Sequence, residues 1–501
     1  MRRCTCVSLV LVLGCGGEPA AGNEEVDVGS ATTDTTDSPP SGGEASTGGS
    51  SAGEGGPGTS GSTTGSEGTE GASSSGGTSD AGETEGDESG GEEPTAIVYG
   101  SDGSGSARGV ADCTVQTDDP VAALASAVPN DVVCVTGGVH GVLSVEGPLT
   151  LRAIGSTEVA GLVVSGASAT VDGFTVTGIG SNDAAIYAGG TGHTIVGNRV
   201  VSPDASFGIR VPADLTIVRG NTVTGVQHWG IDTRGDGNRL ERNNIFDLRR
   251  LSLGSDVDGV KFHGSDLVLR ENYIHDINQY ASVYDDDPPH VDCFQSHASS
   301  DIVTQRVLIE RNYCVRVSRQ CLIAEHPVVG NIVFRDNVCE THDNQNINVK
   351  RSLGGPVWIY NNIVAGSPDK AIYTNSASGE SNDPDIYIVN NIARGNPGDG
   401  MTLLSGPSTA LDNNVLLEDD SPFVFVPEFD SPQYAGYAET QAADFDADGP
   451  RAWALAAAGG QASVAVPSLP AWLAALEGDA VDIDGNPRPA TGVSVLGPFE
   501  P

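Results

Sequence analysis

Apolar and polar residues alternate in short segments between residues 194 and 413, and each segment leads into an asparagine. Examples are TIVGN, TIVRGN, LVLREN, VLIERN, IVFRDN and WIYNN. A period of two is typical of a β-strand with one buried face. The Leu/Ala-rich amphipathic stretches of helical repeats are missing from this part of the chain. The pattern therefore predicts a long series of short strands.

The asparagines that end these segments recur at regular intervals. They are Asn198, Asn221, Asn243, Asn272, Asn312, Asn337, Asn361, Asn390 and Asn413. A period in the low twenties indicates a solenoid, and three short strands with their turns fill about one such period. Stacked coils would pair equivalent strands in parallel. Asparagine suits one recurring turn, because it tolerates left-handed backbone and its amide can bond the same residue one coil away.

The period, the asparagine ladder and the strands resemble the right-handed parallel β-helix of pectate-lyase-like proteins. Residues 119–141 resemble the N-terminal cap of such proteins, with a short apolar helix, a turn and a strand. The C-terminal segment VDIDGNPRPATGVSVLGPFEP resembles the tail that often closes them. The resemblance implies an all-β fold, a right-handed single-stranded parallel β-helix over residues 96–430, with an N-terminal capping helix and a C-terminal capping region at 431–501.

The first 95 residues differ in composition from the rest. Residues 1–15, MRRCTCVSLVLVLGC, combine two arginines with an apolar run too short to span a bilayer, as in a secretion signal. The end of this segment, VLGC, resembles the lipobox of bacterial lipoproteins. That resemblance implies acylation of Cys15 and, because Gly16 follows, anchoring in the outer membrane, facing the surface or the periplasm. Residues 16–95 hold 17 acidic residues and no Lys or Arg, so we expect a disordered tether.

The charge of the remaining chain limits its partners. Residues 96–501 contain 50 acidic and 23 basic residues, a net charge of −27. This balance argues against nucleic acid and anionic membrane surfaces as partners, so we expect membrane contact only through the lipid anchor. An extracellular polysaccharide is the expected partner, and a monomer is the expected state.

A second alignment predicts which side chains share one face of the solenoid. Each coil carries a small residue followed by an apolar one, as in GIRV, GIDT, GVKF, CFQS, CLIA, NINV and AIYT. If the apolar residue points inward, the next position faces out. That position holds Arg210, Asp232, Lys261, Gln295, Ile323, Asn348 and Tyr373, and two residues further on come Pro212, Arg234, His263, His297, Glu325, Lys350 and Asn375. Because coils lie about 4.8 Å apart, we expect the polar members to share one exposed sheet.

The regular spacing is interrupted at YDDDPPHVDCFQSH, residues 284–297. The interval from Asn272 to Asn312 is 40 residues, and the added residues include carboxylates, two histidines and a double proline. Insertions in solenoids form loops that commonly build the binding surface. We interpret this insertion as one wall of a functional cleft beside the exposed sheet, and a solvated acidic loop is the alternative.

A uronate lyase is the leading hypothesis for this cleft, since β-helix proteins with such a face are often polysaccharide lyases, hydrolases or epimerases. β-Elimination needs a neutralised carboxylate, a base and a proton donor. The candidate bases and proton donors are Lys261, His263, His290, His297, Lys350 and Arg351. Asp287, Asp292 and Glu325 offer hard oxygen ligands for Ca²⁺, the expected cofactor. The residues expected to bind substrate are Asp232, Arg234, Tyr284, Gln295 and Asn348.

Other activities stay open at this point. A hydrolase would use two carboxyls among Asp258, Asp292 and Glu325, although the polygalacturonase-like motifs are not matched. Residues 284–290 loosely resemble the Tyr-Gly-x-Asp-Pro-His motif of mannuronan epimerases, with the glycine replaced and a proline added. The histidines of the cleft are also ligand types for Zn²⁺, without a diagnostic spacing. A non-catalytic carbohydrate-binding or adhesin-like module is the alternative of a different class.

Six cysteines follow the lipobox, and secretion favours disulfides between them. Cys293 and Cys321 share the small-residue position on consecutive coils, and Cys314 and Cys339 share the second position after the asparagine. Stacked equivalents have Cα atoms about 5 Å apart, within disulfide range. The sequence therefore predicts the bridges 293–321 and 314–339, together with Cys113–Cys134 in the cap. Free buried thiols are the alternative.

Overall fold

The computed structural model describes residues 101, 110–249, 256–277, 289–297, 302–325, 329–341, 345–350, 355–367, 370–375, 386–395, 409–412, 414–417 and 469–476. Within them lie 31 β-strands, joined through parallel pairings, and two short helices. In the same ranges there is no helix of the length and apolar character needed to cross a membrane. The signal segment with Cys15, the tether at 16–95 and most of 431–501 lie outside the described residues.

The fold begins with one short strand, one helix and two long strands. They are β1 (Val115–Thr117), α1 (Pro120–Ser126), β2 (Val132–Glu146) and β3 (Thr150–Ser165). Asp119 caps α1 by accepting a hydrogen bond from the amide of Ala122 at 3.1 Å. Ala123 packs into the core. A helix therefore lies where the sequence indicates one, and its role as a cap stays a prediction.

The remaining strands form three faces, A, B and C, which the chain visits in the order B, C, A in each coil. Face A consists of β6 (Ala184–Ala188), β9 (Phe207–Val211), β12 (Trp229–Thr233), β15 (Asp258–Phe262), β18 (Asp292–His297), β21 (Gln320–Glu325), β24 (Gln345–Lys350) and β27 (Lys370–Asn375). Each of these strands pairs in parallel with the equivalent strand one coil away.

Faces B and C are built in the same way. Face B consists of β4 (Thr170–Asp172), β7 (Thr194–Val196), β10 (Ile217–Arg219), β13 (Arg239–Glu241), β16 (Ser265–Arg270), β19 (Thr304–Glu310), β22 (Val329–Arg335), β25 (Val357–Tyr360), β28 (Ile386–Val389) and β30 (Thr409–Asp412). Face C consists of β5 (Thr175–Val176), β8 (Arg199–Val201), β11 (Thr222–Thr224), β14 (Asn244–Phe246), β17 (Tyr273–Ile277), β20 (Tyr313–Val317), β23 (Val338–Thr341), β26 (Ile363–Ser367), β29 (Ile392–Gly395) and β31 (Val415–Leu417).

Apolar side chains stack along the interior of the coil, as the alternation predicts. On face A the inward row is fully buried and consists of Ile209, Ile231, Val260, Phe294, Leu322, Ile347 and Ile372. These residues are register partners on successive strands. Burial of one such side chain stabilises the fold by about 1.5–3 kcal/mol. The predicted all-β parallel β-helix is thereby confirmed.

The asparagine ladder lies at the corner between faces B and C, and its last three members differ from those predicted. The bonded series runs through Asn198, Asn221, Asn243, Asn272, Asn312, Asn337, Asn362, Asn391 and Asn414. The prediction of Asn361 and Asn390 is wrong by one residue, and Asn413 lies outside the described residues. The left-handed position is the residue before the ladder, where Asn361 and Asn390 both have φ of 57°.

The six cysteines of the described residues all form disulfides, but two pairings differ from the prediction. Cys113–Cys134 is confirmed. The structure contains Cys293–Cys314 and Cys321–Cys339, with Cα–Cα distances of 6.0 and 5.7 Å, so the bridges 293–321 and 314–339 are wrong.

The physical reason is side-chain direction. Cys314 and Cys339 are indeed stacked register partners. Stacked side chains project in parallel and keep the strand spacing of about 4.8 Å, whereas bonded cysteines need Cβ atoms about 3.8 Å apart. Side chains from faces C and A converge inside the corner between these faces, and the bonds form there.

Helix α2 (Leu473–Leu476) packs on the outer surface of face B. Leu473 joins an apolar cluster of Leu308, Val333, Trp358, Tyr360 and Val389. The carbonyl of Leu476 accepts a hydrogen bond from Arg270 at 2.9 Å. Residues 469–476 thus cover the middle coils of face B, and closure of the last coil by 431–501 stays a prediction.

Candidate functional site

The predicted outward row of face A is present, and its members are in register. Arg210, Asp232, Lys261, Gln295, Ile323, Asn348 and Tyr373 are consecutive partners across the strands. The expectation that this row is exposed is wrong for most of it, because Lys261, Gln295 and Asn348 are 9%, 2% and 3% exposed. Long side chains at the narrow spacing of the coils cover one another.

His263 does not join the row. It is 4% exposed, and its Nδ1 lies 3.5 Å from Oγ1 of Thr304, which in turn accepts a hydrogen bond from Ser296. The strand β15 ends at Phe262 and the chain turns at Gly264, where φ is 111°. The alternation of the strand therefore ends before His263, which is buried in the corner between faces A and B rather than presented as a catalytic group.

Two stacked aspartates begin the central strands of face A. The backbone amide of Asp292 donates to Oδ1 of Asp258, and the amide of Gln320 donates to Oδ1 of Asp292, both at 3.1 Å. Burial, followed by the charges of Asp292 and Asp256, raises the pKa of Asp258 well above its usual value. Burial and the charge of Asp256 raise the pKa of Asp292 to about 8. The pair therefore holds a proton near neutral pH.

Lys261 lies between this acidic pair and an aromatic ring. Its Nζ is 3.8 Å from the ring centroid of Trp229. Burial lowers the pKa of Lys261, while the negative charges of Asp258, Asp256 and Asp232 oppose that change. The lysine is consequently poised to bind an anion or to take part in proton transfer.

His297, Glu325 and Asn348 form a series on three successive strands. Asn348 donates to Oε1 of Glu325 at 3.2 Å, and Oε2 of Glu325 lies 3.9 Å from Nε2 of His297. The His297 side chain is 52% exposed and Glu325 only 13%. An amide thus holds a carboxylate, and the carboxylate lies within ion-pair distance of a solvent-accessible imidazole, an arrangement that suits a general base.

His290 contributes a second imidazole near the first. Partial loss of hydration, followed by the charge of Arg319, lowers the pKa of His290, while Asp256 and Glu325 raise it. His297 also acts electrostatically on His290. The lowered pKa leaves His290 a neutral imidazole near pH 7.

Asp232 contacts two arginines, Arg210 on the preceding coil and Arg234 two residues further along its own coil. The Nε atoms of Arg210 and Arg234 each lie 3.2 Å from its carboxylate. The guanidinium of Arg210 stacks on Phe207 at 4.6 Å, and that of Arg234 lies 5.9 Å from the ring of Trp229.

Several buried polar atoms of face A lack a hydrogen-bond partner among the described residues. They are Nε1 of Trp229, Oδ2 of Asp258, Oε1 of Gln295, Oε1 of Gln320 and Oδ1 of Asn348. Buried polar atoms are rarely left unpaired. The outer surface of these strands is therefore where a polar ligand would restore hydrogen bonds.

Some predicted site residues lie outside the part of the chain that the structure describes. Tyr284, Asp287 and Arg351 lie outside the described residues, as does the side chain of Lys350. Of the predicted calcium ligands, Asp292 is fully buried and Glu325 is held by Asn348. Within the described ranges no group of three or more His, Cys, Asp or Glu side chains is arranged to hold a metal ion.

No protein family and no curated protein matches this chain. Among solved structures, the pectate lyase Pel9A is 13% identical and aligns over 76% of this chain and 90% of that chain, with a TM-score of 0.39. The PL6 family alginate lyase AlyGC is 14% identical over 62% and 52% of the two chains, with a TM-score of 0.43. The A-module of the Azotobacter vinelandii mannuronan C-5 epimerase AlgE6 is 14% identical over 61% and 96%, with a TM-score of 0.37.

The chain is a parallel β-helix. The strand pairings described for faces A, B and C establish this fold.

Sequence reasoning overlooked three residues of this β-helix site. Asp256 and Trp229 were not considered, and Asp258 was considered only as a hydrolase acid. A signal was present, because WGI, DGV, DCF and QCL occupy the same position of successive coils. Aligning one residue further toward the N-terminus would have placed Asp258 directly beneath Asp292.

Proposed function

We propose that this β-helix cleaves an extracellular acidic polysaccharide by β-elimination at face A. The observation that carries the proposal is the series Asn348, Glu325 and His297, which presents an oriented and accessible base. This base lies near Lys261, whose pKa is lowered by burial and whose strand β15 pairs directly with β18. Together they are the groups that elimination from a uronate requires.

In this mechanism each group has one task. Lys261 holds the uronate carboxylate, which makes the adjacent C5–H bond acidic, and Oε1 of Gln295, which has no partner among the described residues, accepts from a sugar hydroxyl. His297 removes that proton through its ring nitrogen facing the sugar, while Glu325 stabilises the imidazolium that forms. The electrons of the C5–H bond form the C4=C5 double bond as the C4–O bond breaks, and the leaving oxygen takes a proton from solvent water, because the lowered pKa of His290 leaves that imidazole neutral near pH 7.

Ca²⁺ remains a proposal for this site. Asp256, Asp258 and Asp292 supply oxygen ligands of the type that Ca²⁺ prefers, but the described residues are not grouped for it. No step above therefore passes through a cation. Activity assays with and without chelator address this point.

The test is the ultraviolet absorbance of the unsaturated product. Polygalacturonate, polymannuronate, polyguluronate and hyaluronate are incubated with the full chain, and absorbance rises with at least one polymer. His297→Ala lowers kcat on that polymer by about 100-fold or more, the usual contribution of a general base. His140→Ala, a histidine on β2 away from face A, serves as the matched control and leaves kcat unchanged.

A non-catalytic carbohydrate-binding module is the second candidate. It is favoured by the burial of Asp258 and Asp292, whose Oδ1 atoms are occupied by backbone amides and which therefore stabilise the coil. Binding of a polymer without any rise in absorbance would support the module and contradict the lyase.

We also propose that the β-helix is tethered to the outer membrane through Cys15. The lipobox resemblance and the charged, low-complexity segment 16–95 support this. Cell fractionation of the full-length chain and of Cys15→Ser tests it: the variant moves from the membrane fraction to the soluble fraction, and membrane retention of the variant would contradict the tether.

A further inference from the structure

The two arginines held by Asp232 carry more positive charge than their local partner neutralises. One fully buried carboxylate contacts two guanidinium groups, and Lys261 lies on the next coil in register with Asp232. A quarter of each arginine side chain is exposed, 25% for Arg210 and 26% for Arg234. The two guanidinium groups therefore exceed the charge of Asp232 by one, while the charge of Lys261 is shared with Asp256 and Asp258.

The arrangement of these arginines is fixed rather than mobile. The carboxylate of Asp232 contacts the Nε atoms of both arginines, and the two guanidinium groups are therefore held on neighbouring coils. Their planes are also supported by aromatic rings, Phe207 under Arg210 and Trp229 near Arg234. A planar guanidinium held in this way is suited to binding carboxylates, with its remaining N–H groups as donors.

A second observation points to a ligand at the same place. The Nε1 atom of Trp229 is buried and has no hydrogen-bond partner among the described residues. Trp229 offers an aromatic surface as well as this donor, a combination that suits a sugar ring with its hydroxyl groups. Aromatic surface, an unpaired donor and fixed cations thus coincide on face A.

We infer that Arg210, Arg234 and Trp229 form an acidic-sugar subsite separate from the reacting position, an inference that rests on the proposed polysaccharide function. The strand β12 lies two coils from β18, which carries His297, a separation of about 10 Å. That distance exceeds the span of one sugar ring. The subsite therefore binds the carboxylate of a sugar further along the same polymer and selects acidic chains long enough to reach both positions.

The test compares acidic polymers with neutral ones of the same backbone. Polygalacturonate, polymannuronate, polyguluronate and hyaluronate are each titrated beside their carboxyl-reduced forms by calorimetry. Arg234→Gln lowers the affinity for the acidic polymer by about 10- to 100-fold, the value of a charge-assisted hydrogen bond, and leaves affinity for the reduced form unchanged. Arg210→Gln acts in the same direction. Arg219→Gln, an exposed arginine on face B, is the control and changes neither affinity.

Oligosaccharide length supplies a second measurement. Arg234→Gln weakens binding of a uronate tetramer but not of a dimer, because the dimer does not reach from β18 to β12. Equal loss for acidic and reduced polymers, unchanged affinity in Arg234→Gln, or no binding of any polymer would each overturn the subsite.

Failure of the subsite and failure of the lyase are distinguishable. Arginine-dependent binding of acidic polymer without rising absorbance keeps the subsite and rejects the lyase. Rising absorbance with a KM that Arg234→Gln leaves unchanged keeps the lyase and rejects the subsite.

Discussion

Asp292 lies one coil from Asp258, and the backbone amide of Asp292 donates a hydrogen bond to the carboxylate of Asp258 at 3.1 Å. Both carboxyl groups are fully buried. Oδ1 of each aspartate accepts from a backbone amide of the following coil, and burial makes the charged form of the pair unfavourable. This relationship couples the stability of face A to its protonation.

Replacing Asp292 with asparagine should flatten the dependence of stability on pH. In the folded chain the pKa of Asp292 is raised from 3.8 to about 8, so the folded state binds more protons than the unfolded state between these values. The free energy of unfolding of the wild type therefore falls as pH rises through that window. The amide introduced by Asp292→Asn cannot ionise, yet it keeps the oxygen that accepts from Gln320.

Urea denaturation at pH 5 and pH 9, in the presence of chelator, measures this effect. Stability of Asp292→Asn relative to wild type should increase from pH 5 to pH 9. If the free energies of unfolding of the two proteins changed equally between pH 5 and pH 9, Asp292 would be ionised over that whole range.

Adjacent asparagines 361 and 362 should respond differently to the same substitution. Nδ2 of Asn362 donates to the carbonyls of Phe334 and Tyr360 and to Oδ1 of Asn391. Asn362→Asp removes these donations and buries a charge, so it should destabilise the fold by about 3 kcal/mol or more.

Asn361→Asp is the matched control for this substitution. Asn361 has a φ of 57°, and Asp336 occupies the same position one coil earlier with a φ of 55°. Asn361→Asp should lower the free energy of unfolding by about 0.5 kcal/mol. Thermal unfolding of both variants decides the register of the ladder, and a larger loss at position 361 would contradict it.

Peptide mapping of the non-reduced protein should recover the bridges 293–314 and 321–339. Digestion followed by mass spectrometry should give linked peptides for these two pairs and for 113–134, and no linked peptide that joins 293 to 321. Each central bridge closes a short loop, with sequence separations of 21 and 18 residues, and removing one should cost about 3 kcal/mol. Recovery of 314–339 would contradict the pairing described here.

Among the charged residues of face B, Glu310 should be the one whose replacement lowers the free energy of unfolding most. It is fully buried and contacts Arg270, Arg311 and Arg335. Burial alone would raise the pKa of Glu310, but the three arginines hold it below its ordinary value. Glu310→Gln removes the buried carboxylate from Arg270, while Arg311 keeps Glu271 and Arg335 keeps Asp336, and the loss in urea denaturation should be about 3–5 kcal/mol.

Asp266→Asn is the control for Glu310→Gln. Asp266 is paired with Arg306 in a half-exposed position, where an ion pair contributes about 1 kcal/mol or less. Equal losses in the two variants would show that burial of Glu310 does not govern its contribution.

The fold could be predicted from the sequence because the apolar alternation and the asparagine period both result from the same stack of coils. The partners Lys261 and Gln295 were placed in register by counting alone. Counting could not choose between Asn361 and Asn362, since both are asparagine. It could not pair Cys293 with Cys314 either, because a disulfide depends on converging side chains and not on stacking.

The burial of the site residues could not be predicted from the sequence. Lys261 and Gln295 face outward but are covered by neighbouring side chains, and His263 falls in a corner where the alternation has ended. The raised pKa of Asp292 depends on the same burial and on the nearness of Asp256, which precedes the strand. Burial and the raised pKa arise from packing between coils, and the order of residues along the chain does not report on that packing.

The most direct test of the proposed site is a crystal structure of His297→Ala with a uronate tetramer that the protein binds. We predict sugar density along face A, with one carboxylate at Arg210 and Arg234 and the scissile residue between Lys261 and Glu325. Density on face B or face C, or a tetramer at face A with its carboxylates turned away from both Lys261 and Arg234, would contradict it.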